Sequence, residues 1–314
     1  MSSWESSEAH VRVLSYLCIH CVAQENPHMR KFCLKGLYST YVKNSKFLSK
    51  HTSSALQFME NCCVEIFGLH ISGAYEHVFR YIRQLAVLMR IAMTTTKKET
   101  VQKIYNWQYI SSIKLLCRII STYKEVLKEL IYPAAQVLIA TIKLIPTAQY
   151  FPLRFHCLKA LRELSPSGSP FIPMLHFITE VLGSVYVKNK PQNFSSKATD
   201  TEFTLRFKKN FLGSKLFQDF VINSVIHELY AYFSESSYHV AFPELALPVM
   251  VQLKHFLLNT KNLRLSRELK QLLSLIKKTI VFIGFERLNV LKANMTSTSK
   301  QTPIDEFFYR WRSY

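Results

Sequence analysis

Glycine is scarce: there are 7 in 314 residues, well under the usual share of about 7%. Parallel α/β folds and phosphate-cradling loops need glycine at their tight turns, so this scarcity argues against both. Acidic residues are also few, with 21 Asp and Glu against 40 Lys and Arg, a formal charge of +19. That balance disfavours basic ligands and favours polyanions, of which nucleic acid is the usual one. Uncharged runs are short. The longest apolar stretch, Leu130 to Ile142, falls below the ~20 residues of a membrane span. Secretory features are missing too, because Glu5, Glu8 and His10 stand where a signal peptide would be apolar. The seven cysteines are an odd number, which points to free thiols in a reducing compartment.

What the chain does have is apolar content, 48% of its residues, enough for a substantial core. Prolines and polar clusters divide it into helix-sized pieces, predicted at 8–23, 28–43, 53–68, 74–93, 98–121, 124–145, 150–164, 171–187, 213–234, 241–259 and 266–290. The last is the clearest. Leu269, Leu272, Leu273, Ile276, Ile280 and Ile283 share one face, while Lys270, Gln271, Ser274, Lys277 and Lys278 lie opposite. Pro146 forces a corner after Ile145, and Pro152 suits a first helical turn. Short connections make successive helices antiparallel neighbours. At about 50 residues per pair, the spacing resembles HEAT or armadillo arrays. The predicted fold is therefore an all-α solenoid of degenerate helix pairs, with an irregular bundle second. Its helical-repeat domain spans 1–291, with a crossover loop at 188–200. A linker and short docking tail occupy 292–314, the tail carrying Phe307, Phe308, Tyr309 and Trp311 beside Arg310 and Arg312.

Catalytic and metal motifs fail on inspection. Cys18 and Cys21 form a CxxC with no second ligand pair at zinc spacing, so they are predicted core residues. Cys62 and Cys63 adjoin and point to different helix faces. His156 and Cys157 diverge by about 100° on a helix and cannot hold a nucleophile–base pair. His227-Glu228 lacks the second histidine of a metalloprotease helix. The prediction is a non-enzyme without cofactor, metal or small-molecule substrate. The basic excess gathers in two segments. Lys188 to Lys215 carries seven basic residues against Asp200 and Glu202, and Lys254 to Lys278 carries seven against Glu268. Lys208, Lys209, Lys215, Lys270, Lys277 and Lys278 are the candidate RNA-facing residues.

Several segments resemble the nucleolar complex protein 2 family. LKGLYSTYVKNSKFL (Leu34 to Leu48), AYEHVFRYIRQLAVLMRIAM (Ala74 to Met93) and IYNWQYISSIKL (Ile104 to Leu115) are similar to its recurrent blocks, the last through Tyr105, Asn106, Trp107 and Gln108. The most specific is IPTAQYFPLRFHCLKAL, which carries Pro146, Thr147, Tyr150, Pro152, Arg154, Phe155 and His156. Phe242, Pro243, Glu244 and Leu245 continue the likeness. The resemblance implies a helical-repeat scaffold of the nucleolus and nucleoplasm. It implies pairing with nucleolar complex proteins 1 and 3 on pre-60S particles and pre-rRNA, in support of maturation and export. The family's long charged N-terminal extension is expected to be absent here. A solenoid adaptor for nuclear transport is the alternative reading. Arg154 is predicted either to tie neighbouring helices or to meet RNA.

Overall fold

A computed structural model describes residues 2–5, 8–95, 97–165, 171–189, 201–237, 239–260 and 262–294. Among them every regular element is a helix. The protein is all-α, and none of the described helices is long and apolar enough to cross a membrane.

The chain forms two compact units, Met1–Ile172 with Ser195–Lys209, and Pro173–Phe194 with Asn210–Tyr314. The first contains α1 (Ala9–Glu25), α2 (Pro27–Asn44), α3 (Lys50–Gly68), α4 (Ile71–Thr95), α5 (Lys98–Ile104), α6 (Trp107–Thr122), α7 (Lys124–Leu127), α8 (Ile131–Leu144) and α9 (Phe151–Leu164). Local chemistry starts these helices. Pro27 stands in the first turn of α2, where its missing N–H costs nothing, and Ser49 with Thr52 makes a capping box for α3. The centre is α6, which packs against α2, α3, α4, α8 and α9. Its Ile110, Ile113, Leu116 and Ile120 are fully or almost fully removed from solvent. Each such aliphatic side chain contributes about 1.5–3 kcal/mol on burial.

The second unit contains α10 (Leu175–Leu182), α11 (Val185–Lys188), α12 (Lys215–Ser236), α13 (Phe242–Asn259) and α14 (Leu263–Asn294). Ser214 caps α12 by accepting from the Phe217 N–H at 3.2 Å. The apolar face expected for α14 is the buried one: Leu269, Leu272, Leu273, Ile276 and Ile283 are in the core, and Lys270, Lys277 and Lys278 are exposed. Within each unit the principal packings join helices close in chain order, the stacking mode of a helical solenoid.

Departures from the expected helices have identifiable causes. The helix expected at 98–121 breaks at Tyr105 and Asn106, because Asn106 takes an extended conformation and caps α6 with its side chain. The one expected at 124–145 is interrupted by a 3₁₀ turn at Lys128–Leu130. The one expected at 171–187 starts late, since Pro173 disfavours helix at the residue before it. Cys18 and Cys21, expected in the core, are exposed. They lie on the face of α1 that also exposes Leu14 and Leu17, while Tyr16 and Ala23 face inward. Of the expected crossover at 188–200, residues 190–200 lie outside the described residues; so does the expected tail from residue 295 onward.

Candidate functional site

The residues at 105–108 and 145–156 meet in the first unit, where α5 turns into α6 and α8 turns into α9. Each member of the Tyr-Asn-Trp-Gln run has its own task. The Tyr105 hydroxyl accepts from the Ile145 N–H at 2.9 Å and donates to the Thr141 carbonyl at 3.2 Å. It thereby closes the C-terminal end of α8, where the helix's own partners run out. Asn106 accepts from the Tyr109 N–H at 2.8 Å and starts α6. The Trp107 ring meets His156 edge-on, with centroids 5.1 Å apart. Gln108 donates to the Val42 carbonyl of α2 at 3.2 Å. Four consecutive residues thus join α2, α6, α8 and α9.

The partner segment answers in kind. Ile145 ends α8 in an extended conformation ahead of Pro146, and Thr147 leads into a single 3₁₀ turn, Ala148–Tyr150. The Tyr150 ring lies 4.5 Å from that of Tyr105, and the Arg206 guanidinium sits over the Tyr150 ring, 5.5 Å from its centroid. Gln149 accepts from the Phe207 N–H at 2.9 Å, so residues 203–207 are fastened to this corner. Pro152 occupies the first turn of α9 and is buried. Arg154 is 4% exposed, its guanidinium 5.8 Å from the Phe151 centroid, and Phe155 is buried beside it. The side chain of Arg154 is therefore placed inside the unit. Burial, with Lys114 and Lys159 nearby, pushes the His156 imidazole down to about 3, so it is neutral at physiological pH.

In the second unit, Phe242 and Pro243 are buried at the start of α13, and Glu244 is exposed in its first turn. Both Glu244 oxygens accept from Arg287 of α14 at 2.7 Å, and Arg287 also donates to the Val240 carbonyl. This bidentate pairing holds the Glu244 carboxyl down at about 2. Among the candidate RNA-facing residues, Lys208 and Lys209 are exposed in the first unit. Lys215, Lys270, Lys277 and Lys278 are exposed in the second.

A feature absent from the sequence reading lies beside Trp107. The α6 positions 107, 111, 114, 118 and 121 form one stripe at helical spacing and line a cleft of about 760 Å³ in the first unit. The signal was available, since a lysine and an arginine interrupt the otherwise apolar run Ile113 to Ile120. Burial depresses Lys114, with Lys159 adding to it, and raises Glu163. Across the cleft Arg118 pairs with Glu60 at 3.1 Å. The described residues contain no group of three or more His, Cys, Asp or Glu side chains able to hold a metal ion.

Known proteins resemble this chain over most of its length. Nucleolar complex protein 2 of Drosophila melanogaster is 36% identical over 323 aligned residues, covering 98% of this chain and 42% of that protein. Nucleolar complex-associated protein 2 of Arabidopsis thaliana is 33% identical, covering 81% and 34%. The nucleolar complex protein 2 homolog of Caenorhabditis elegans is 26% identical, covering 98% and 46%. The chain therefore spans less than half the length of these relatives. The profile of the Noc2p family matches residues 28–308, taking in both signature segments, the joint they build and the start of α13: this chain belongs to the Noc2p family.

Proposed function

We propose that this protein is a non-enzymatic scaffold in ribosome biogenesis, working in the nucleolus on precursors of the large (60S) subunit. The observation that carries this reading is the family match over 28–308, together with relatives whose names place them in nucleolar complexes. On this reading the chain pairs with nucleolar complex proteins 1 and 3, and the pair stays with pre-60S particles through rRNA processing and passage from nucleolus to nucleoplasm towards export. The helix pairs of both units are degenerate HEAT/armadillo-like repeats of a helical-repeat domain over 1–291, followed by a docking tail, and they present extended surfaces to several partners.

The physical features that support it are a stacked all-α architecture, a formal charge of +19 and signature residues spent on joining helices. Exposed lysines at 208, 209, 215, 270, 277 and 278 lie near pre-rRNA phosphates, and their contribution falls with rising salt. Affinity purification of the tagged chain, with mass spectrometry and RNA sequencing of the eluate, tests the proposal. Recovery of the sister nucleolar complex proteins with precursor rRNA is the expected result. Nuclear-pore proteins and soluble cargo without precursor rRNA would overturn it in favour of a transport adaptor.

A further inference from the structure

The cleft beside Trp107 has a composition that the assembly reading does not use. Three cations, Lys114, Arg118 and Lys159, share its lining with three carboxylates, Glu60, Glu163 and Glu202. Arg118 is committed to Glu60. Lys114 is different: it donates no hydrogen bond and forms no ion pair among the described residues, although it stands partly buried on α6, the central helix. Glu163 is close enough to influence it, yet the two are not within ion-pair distance. An ammonium withdrawn from bulk water with no acceptor is costly, and a carboxylate ligand would relieve that cost. The rest of the lining suits a polypeptide. Serine and threonine hydroxyls and Gln57 offer donors and acceptors for backbone amides, and Trp107 and Phe203 supply flat apolar walls.

We propose that this cleft binds an extended, acidic peptide segment of a partner protein, with one Asp or Glu side chain of that segment paired to Lys114. The charge pattern selects peptide over nucleic acid. A polyphosphate chain carries a negative charge at every residue and would meet Glu60, Glu163 and Glu202 at close range, whereas a peptide places one carboxylate among neutral amides. The ordinary loss of ionisation on burial opposes this ligand weakly, because pairing restores the charged amine. The proposal stands on the cleft's geometry and not on the role in ribosome assembly.

Fluorescence anisotropy with the purified full chain tests it, using a labelled serine octapeptide that carries one central Glu, the Glu-Ser peptide. The Gln-Ser counterpart and octauridylate serve as comparisons. The expected result is binding of the Glu-Ser peptide, weakened about tenfold or more by Gln in place of its Glu, by octauridylate in its place, or by Lys114→Met. The Lys114→Met chain should keep the wild-type melting temperature. Acetylation mapped by mass spectrometry reads the same site without any substitution. Glu-Ser peptide should slow labelling of Lys114 while leaving exposed Lys35 and Lys50 unchanged. Absence of binding, equal binding of the glutamine peptide, undiminished binding by Lys114→Met, stronger binding of octauridylate, or no protection of Lys114 each overturns the proposal.

Discussion

Replacing Tyr105 by Phe isolates one oxygen atom at the joint between α5, α6, α8 and α9. The ring and its packing on Tyr150 at 4.5 Å stay in place, so only the hydroxyl's two hydrogen bonds are lost. The Thr141 carbonyl keeps a second lone pair and its place in α8, which makes that loss cheap. The Ile145 N–H is the expensive one. It ends a helix, its donor has no other acceptor among the described residues, and the next residue, Pro146, fixes the chain direction. An amide left without its partner costs about 1–3 kcal/mol. At 1.4 kcal/mol per factor of ten, that is a drop of about 5- to 150-fold in the equilibrium protecting the Ile145 amide. Native-state hydrogen exchange reads this directly. Protection of Ile145 should fall by that factor, while amides of α12, in the other unit, stay unchanged. If Ile145 exchanged within about twofold of wild type, the hydroxyl would contribute no more than a solvated group, and the closing of α8 by Tyr105 would be refuted.

Other outcomes are equally definite. His156 titrates at about 3 in the folded protein against 6.5 ordinarily, so the unfolded chain binds the proton first and stability is lost as pH falls from about 6.5 towards 3. The loss is bounded at about 5 kcal/mol, and acid-unfolding curves of His156→Phe should show a shallower decline across that window. The Glu244 carboxyl, held near 2 by Arg287, contributes stability above the ordinary carboxylate range, lost as pH falls through about 2. Melting curves of Glu244→Gln should therefore lie below wild type at neutral pH and converge with it near pH 2. Gly68→Ala places a methyl against the Tyr123 hydroxyl and ring, whose hydroxyl donates to the Val64 carbonyl at 3.0 Å. Displacing that ring should cost about 1–3 kcal/mol in urea titration, and Tyr123→Ala in the same chain should recover part of it. Charge reversal at Lys208, Lys209 and Lys215 should lower precursor-rRNA recovery and flatten its salt dependence.

The helices were largely legible in the sequence because their apolar spacing is regular. α14 is the best case, with its lysine face opposite a leucine and isoleucine face. The corner at Pro146 was legible for a backbone reason that no packing overrides. Other features depended on partners far away in the chain. Asn106 has a side chain that caps helices, but it stands within a run that also reads as continuous helix, and Tyr105's bonds to Thr141 and Ile145 favour the break. Cys18 and Cys21 were read as core because α1 is apolar on more than one face, and only tertiary packing decides which face is covered. Much the same holds for the cleft. The α6 stripe was present in the sequence, whereas Glu60, Lys159 and Glu202 come to it from three other segments.

The return of residues 201–209 to the first unit has a consequence for how the protein is made. Their backbone reaches Gln149 through Phe207, and Glu202 and Phe203 wall the cleft, although residues 173–189 before them belong to the second unit. A nascent chain halted after α9 would carry the described α-helices of the first unit, α1 to α9, and still lack its last wall. Fragments divided at any single peptide bond between 172 and 209 would face the same shortfall: one half carries a gap, and the other carries a strip of chain with nothing to cover. Expression of the halves should therefore succeed only when both are made together.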